Sequence, residues 1–116
     1  MNIMNRIVLN NKIKDVKLMK NRLTYHQKVT DYIKECYKFI LSNGYVSNQY
    51  QFSKYFLNSN KFYFGKIICE QYAPSLATLF TLIDNIGLIS SIDKHSTTAK
   101  QLYEQGLSLI KQKLLQ

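Results

Sequence analysis

The sequence predicts an all-α protein, a single domain of five to six helices with a helix-turn-helix at its centre. Apolar residues recur at helical spacing over most of the chain, whereas the alternation typical of strands never persists. Residues that cap or end helices lie between these periodic segments. The 116 residues are enough to bury one core and too few for two comfortable domains.

Three parts are expected along the chain. Residues 1–23 form a basic N-terminal arm, residues 24–95 a helix-turn-helix domain, and residues 96–116 a C-terminal helix used for packing or dimerisation. The arm holds six cations and one acid, with apolar residues at about helical spacing. We interpret its cations as a solvated face, and contact with phosphates or with a partner is the alternative.

The first firm helix is predicted over residues 24–41. Thr24 followed by Gln27 has the form of a capping box, and residues 43–44, an Asn-Gly pair, supply a left-handed stop. One helical face is formed by the apolar residues Val29, Ile33, Cys36, Tyr37 and Ile40. This face is expected to pack on the core.

The helix-turn-helix is predicted from two short helices. The first runs from about residue 48 to residue 57, with Ser47 or Asn48 as its cap. A turn at residues 58–60 consists of Asn and Ser, which favour turns and caps. The second runs from about residue 60 to residue 70, in the position of a recognition helix.

Two longer helices follow. Residues 74–75, a Pro-Ser pair, open one of them with the serine as N-cap, and its apolar pattern ends at Gly87. After a connector over residues 89–95, the last helix begins at residue 96 or 97 and runs through Leu115. Its apolar residues cover more than one face, so it needs two surfaces to pack against. One is the core, and the other can be a second copy of the chain.

The charge balance favours a polyanionic partner. The net charge is +9 and the pI about 9.6, which suits nucleic acid, an anionic membrane surface or an acidic protein. Cys36 and Cys69 each lie in an apolar helical pattern, so both are expected to be buried, reduced thiols in a cytoplasmic protein. The N-terminus does not resemble a signal peptide, and no apolar window reaches the length of a membrane span.

An enzyme is not expected. The seven acidic residues are scattered, and the four glycines are isolated rather than gathered in a phosphate-binding loop. His26 and His95 lie far apart in sequence and form no ligand pattern with the cysteines. We therefore expect no catalytic residue, no metal and no cofactor.

Three stretches resemble the lambda-repressor-like helix-turn-helix family, the Cro and repressor class, over about 40 residues. Residues 74–79, PSLATL, look like the family's support helix, and trailing hydrophobic residues continue to Gly87. Residues 63–67, YFGKI, match the core of its recognition helix. Residues 49–53, QYQFS, resemble the start of its second helix. This sequence departs from the family at Ile68, where a Glu is common, and by one extra residue before the recognition helix.

The resemblance implies roles for five residues. Gln49 would bond a backbone phosphate from the start of its helix. The groove-facing side of the recognition helix would be lined by Asn60, Lys61, Phe62 and Lys66. In that position Lys donates to guanine, Asn pairs with adenine, and Phe62 contacts a thymine methyl. The protein would then be a dimeric DNA-binding regulator of transcription that reads two half-sites.

Other interpretations stay open. The same residues could be helix caps, packing aromatics and solvated cations. The scaffold could also serve as a protein-interaction module, such as an antitoxin or a phage-type inhibitor of a nucleic-acid-binding complex, with an acidic protein as its partner. The aromatic recognition helix and the missing family Glu favour that alternative. A third and weaker one is attachment to anionic membranes through residues 1–23.

Overall fold

The computed structural model describes residues 25–69 and 73–115. Every regular element in these two ranges is a helix, which confirms the predicted all-α fold of five to six helices. The helices are α1 (residues 25–42), α2 (Gln49–Tyr55), α3 (Tyr63–Ile68), α4 (Leu76–Ile92) and α5 (Thr97–Leu114). The basic arm predicted over residues 1–23 and the cap predicted at Thr24 lie outside the described residues.

Three helices begin where the sequence predicts, because a polar side chain satisfies a free backbone amide at each start. The Asn48 side chain accepts a hydrogen bond from the Gln51 amide at 3.0 Å ahead of α2. Ser75 and Ser96 cap α4 and α5 in the same way, each accepting from the amide three residues on, at 3.1 and 3.2 Å. These caps confirm the predicted starts of α2, α4 and α5.

The end of α1 is also as predicted. Gly44 has a φ of +78°, a conformation that costs glycine little because it has no Cβ. Its amide donates to the Leu41 carbonyl and the Tyr45 amide donates to the Ile40 carbonyl, both at 3.1 Å. Carbonyls left open at the end of the helix are thereby satisfied.

The connection between α2 and α3 is longer than the predicted turn at residues 58–60. Asn58 has a left-handed φ of 49°, and the Asn60 side chain accepts a hydrogen bond from the Phe62 amide at 2.9 Å. An Asn that bonds the backbone two residues on forms a turn instead of continuing a helix. The prediction of a helix from residue 60 is therefore wrong, since α3 begins at Tyr63, and α2 also ends earlier than predicted.

The predicted end of the fourth helix at Gly87 is wrong, and so is the connector over residues 89–95. α4 continues through Ile92, and a four-residue link over residues 93–96 leads to α5. Gly87 lies beside the Tyr103 ring of α5, where an added Cβ would come within 2.9 Å of the ring. The glycine therefore allows a close approach of two helices and does not end one.

α5 packs into the same core as the other helices. The Tyr25 hydroxyl of α1 donates to the Leu109 carbonyl at 3.1 Å, and the Tyr32 hydroxyl donates to the Leu102 carbonyl at 2.8 Å. Both bonds are buried and join helices that lie far apart in sequence. The apolar core includes residues from every helix. The C-terminal helix is thus held against α1 and α4 along most of its length.

The two cysteines have different environments. Cys36 is fully buried in α1, and burial raises the pKa of its thiol to about 12. Cys69 is exposed at the end of α3, so the prediction that it is buried is wrong. The physical reason is the short α3, whose inward side is occupied by Phe64 and Ile67. Both cysteines are free thiols, as predicted.

Candidate nucleic-acid interface

The start of α2 and the end of the α2–α3 connection meet at an exposed group of aromatic and cationic side chains. The Tyr50 and Phe62 rings pack edge to face with centroids 5.6 Å apart. Lys61 Nζ lies 5.0 Å from the Phe62 ring centroid and 5.9 Å from the Tyr50 centroid, within reach of a cation–π contact. Tyr50 is 52% exposed and Phe62 is 47% exposed. The group therefore presents both ring edges and charge to solvent.

Gln49 adds an amide group to this part of the molecule. It is the first residue of α2 and is half-buried against α3. Its Oε1 lies 3.9 Å from the position that a Cβ on Gly65 would occupy. We use the name α2–α3 surface for Gln49, Tyr50, Asn60, Lys61, Phe62 and Lys66.

A buried serine fixes α3 against α2. Ser53 is fully buried, and its Oγ accepts a hydrogen bond from the Phe64 amide at 2.9 Å. That amide belongs to the first turn of α3 and has no partner within its own helix. The Phe52, Phe64 and Tyr37 rings pack together beneath this bond, with centroids 4.7 to 5.1 Å apart. The small Ser53 side chain lets the two helices approach closely enough for the bond to form.

α4 contacts α3 and the α2–α3 connection through side-chain hydrogen-bonding groups. The Tyr63 hydroxyl lies 3.3 Å from Thr78 Oγ1 in the first turn of α4, and Ser75 Oγ donates to the same Thr78 oxygen at 2.9 Å. Further along α4, Asn85 Nδ2 donates to the Phe56 carbonyl at 3.2 Å, in the α2–α3 connection. Both ends of the connection are thereby held by one long helix.

The predicted site residues lie close together, but only one of the four assigned to the recognition helix lies in α3. Asn60 and Lys61 are in the connection, and Phe62 is the residue that precedes α3. Lys66 is in α3 itself and is half-buried. The placement of Asn60, Lys61 and Phe62 within a helix is therefore wrong, because the Asn60 side chain closes a turn there.

Sequence reasoning missed two residues of this region. Tyr50 was not singled out, although it neighbours Gln49 and lies two positions before the buried Phe52. That spacing on a helix puts Tyr50 on the outer side. Ser53 received no role of its own, whereas its hydroxyl accepts the hydrogen bond that orients α3. A buried serine is hard to identify from one sequence, because serine is usually exposed.

The two charged residues of the α2–α3 surface, Lys61 and Lys66, are both cations. Between Glu35 and Glu70 the chain holds four lysines and no acidic residue. The acids of the described ranges lie elsewhere, at Asp31, Glu35, Asp84, Asp93 and Glu104. A surface formed from the acid-free segment attracts anions at long range, and salt weakens that attraction.

Within the described ranges, no three His, Cys, Asp or Glu side chains are grouped so that they could hold a metal ion. The same part of the chain has no helix that combines the length and the apolar character needed to cross a membrane.

A family model described as "Family of unknown function (DUF6626)" matches residues 33–116. The match includes the whole α2–α3 surface together with α4 and α5. No curated protein and no solved structure matches the chain.

Proposed function

The chain belongs to the DUF6626 family, whose function is unknown, and from its own surface we propose that it is a small cytoplasmic regulator of transcription that binds duplex DNA. One observation carries the proposal. Two separate stretches of sequence bring lysines, aromatic rings and amide side chains together on one surface, which α4 holds in place and whose named residues include no acid. Phosphate-binding proteins combine positive charge with a fixed orientation in this way.

In this proposal the lysines supply affinity that depends on salt. Lys61 and Lys66 lie near phosphates and displace condensed counterions when the protein binds. Gln49 donates its amide to a phosphate on the adjoining backbone. These contacts set the position of the α2–α3 surface on the duplex and carry no sequence information by themselves.

Base contacts fall to the residues just ahead of α3. Phe62 directly precedes that helix, is 47% exposed and can contact a thymine methyl in the major groove. The Oδ1 of Asn60 accepts the Phe62 amide, which ties this side chain to the turn. Its amide nitrogen can donate a hydrogen bond to a base, and Oδ1 keeps a second lone pair for the paired contact with adenine that the resemblance implies.

The proposed regulator acts as a homodimer. A two-fold dimer presents two identical surfaces, and half-sites one helical turn apart would be separated by about 34 Å. The C-terminal helix supplies the contact between copies, since several of its apolar side chains remain exposed. Two linked surfaces raise affinity for a two-part site above that of either surface alone.

The experiment is a binding titration with labelled duplex DNA at several salt concentrations. Lys61→Ala combined with Lys66→Ala should weaken binding about 10- to 100-fold and reduce the slope of log K against log salt by about 2. Lys28→Ala combined with Lys94→Ala removes the same charge at two exposed sites outside the α2–α3 surface. An equal loss of DNA affinity in both double variants would contradict the assignment of the α2–α3 surface as the binding site. No binding of any duplex at low salt would contradict DNA binding itself.

A second candidate function is favoured by the exposed tyrosines. Tyr45, Tyr50 and Tyr55 are 47, 52 and 66% exposed around α2. Tyrosine is enriched in protein interfaces, where lysine is depleted. An acidic protein would fit both the rings and the charge. Tight binding of such a protein, together with no binding of duplex DNA at low salt, would favour this function over the first.

A further inference from the structure

The helix pair α4 and α5 presents an exposed row of apolar side chains on the side away from the core. Gly87 lies directly against the Tyr103 ring, which places these two points of the helices side by side. Leu88 lines the shallow depression next to them and is 59% exposed. The contact fixes how the remaining residues of the two helices line up.

The row extends from this contact towards the other end of the pair. Phe80 precedes Gly87 by two turns on the same side of α4 and is 42% exposed. Leu107 and Leu114 follow Tyr103 by one and three turns and are 39 and 66% exposed. We use the name α4–α5 face for Phe80, Leu88, Tyr103, Leu107 and Leu114.

α5 carries a second helical seam beside the one that faces the core. Tyr103, Leu107, Ile110 and Leu114 follow one another at i, i+4, i+7 and i+11, the spacing with which helices pack side by side. The core is centred on other positions of α5, Leu102 and Gly106, although Ile110 is buried in it and Tyr103 packs against it. The side chains of this seam left exposed for another helix are Leu107 and Leu114.

Charges on α5 indicate which helix fits. Glu104 and Lys111 are exposed, lie two turns apart on one side of the helix, and flank Leu107. If a second α5 runs antiparallel across a two-fold axis near Leu107, each Glu104 faces the partner's Lys111. A parallel arrangement would instead bring like charges together. The helix is thus electrostatically complementary to an antiparallel copy of itself.

We infer that the α4–α5 face is the interface of a homodimer, in which the two α5 helices run antiparallel across a two-fold axis near Leu107. Each subunit contributes α4 and α5, so the dimer contains a four-helix contact with an apolar centre and charged pairs at its rim. This inference names the interface of the dimer in the proposed function, but it does not depend on DNA binding.

The first test is the mass of the protein in solution, measured by sedimentation or light scattering without DNA. The natural sequence should be a dimer at micromolar concentration. Leu107→Glu should raise the dissociation constant of the dimer on the order of 100-fold, since each of the two subunits places one charged side chain at the centre of the interface. Leu41→Glu is the matched control, because Leu41 on α1 is also 39% exposed. A monomer at every concentration, or an equal effect of both variants, would overturn the inference.

The second test reverses charges and distinguishes the antiparallel dimer from other occupants of the face. Glu104→Lys alone and Lys111→Glu alone should each weaken the dimer, because each creates two like-charged pairs. The double variant should restore it, and circular dichroism checks that all variants fold. A double variant that stays monomeric would overturn the antiparallel arrangement. A monomer that binds an acidic protein or anionic vesicles through Leu107 would assign the face to that partner instead. Because no DNA is present, loss of the proposed DNA binding leaves these outcomes unchanged.

Discussion

Ser53→Ala tests the bond that orients α3. The change removes the Oγ atom that accepts the Phe64 amide at 2.9 Å, at a site fully closed to solvent. A buried amide left without a partner costs about 1–3 kcal/mol. Alanine recovers a few tenths of a kcal/mol, since it is the better helix former in α2. We expect the free energy of unfolding to fall by about 1–2.5 kcal/mol.

The assay is denaturant unfolding, supported by thermal unfolding. At about 4 °C per kcal/mol for a domain of this size, the midpoint should fall by ~4–10 °C. Ser108→Ala is the control, because Ser108 is exposed on α5 and should change stability by no more than about 0.5 kcal/mol. A Ser53→Ala protein within about 0.5 kcal/mol of the natural one would refute the role assigned to this bond. Affinity for DNA should fall as well, because α3 loses its fixed angle.

Three further outcomes are expected. Gly106→Ala should destabilise the protein by about 1–3 kcal/mol in denaturant unfolding, because the added Cβ would collide with the Tyr32 hydroxyl inside the core; unchanged stability would contradict the packing of α5. In the native protein, a thiol reagent at pH 8 should label Cys69 rapidly and Cys36 only on unfolding, and equal labelling rates would count against the burial difference. Burial raises the pKa of Cys36 to about 12 from 9.0, so the unfolded chain loses this proton first and the free energy of unfolding should fall as the pH rises above 9. Cys36→Ser should reduce that slope.

Local features of the fold could be predicted from the sequence. A cap depends on a side chain and an amide three residues on, so Asn48, Ser75 and Ser96 are recognisable without knowledge of the tertiary structure. The stop at Gly44 is equally local. The error at Gly87 has a tertiary cause, since the Tyr103 ring that explains this glycine comes from another helix.

Five of the six residues of the α2–α3 surface were named from the sequence, but their arrangement was not. The family resemblance named Lys61 and Phe62, but it placed them on a helix because a cluster of Asn and Ser is equally typical of a cap and of a turn. The hydrogen bond from the Phe62 amide to Asn60 Oδ1 shows that these residues form a turn. Tyr50 enters the site only through its contacts with that turn, which no local pattern reveals.

The central claim, that the α2–α3 surface binds duplex DNA, is tested most directly by following backbone amide resonances during titration with a short duplex at low salt. If DNA binds at this surface, the largest shifts should occur at Gln49, Tyr50, Lys61, Phe62 and Lys66, with α5 little changed. These shifts should diminish as salt is added, because phosphate contacts release counterions. No shifts at low salt, or shifts centred on α5, would contradict DNA binding through the α2–α3 surface.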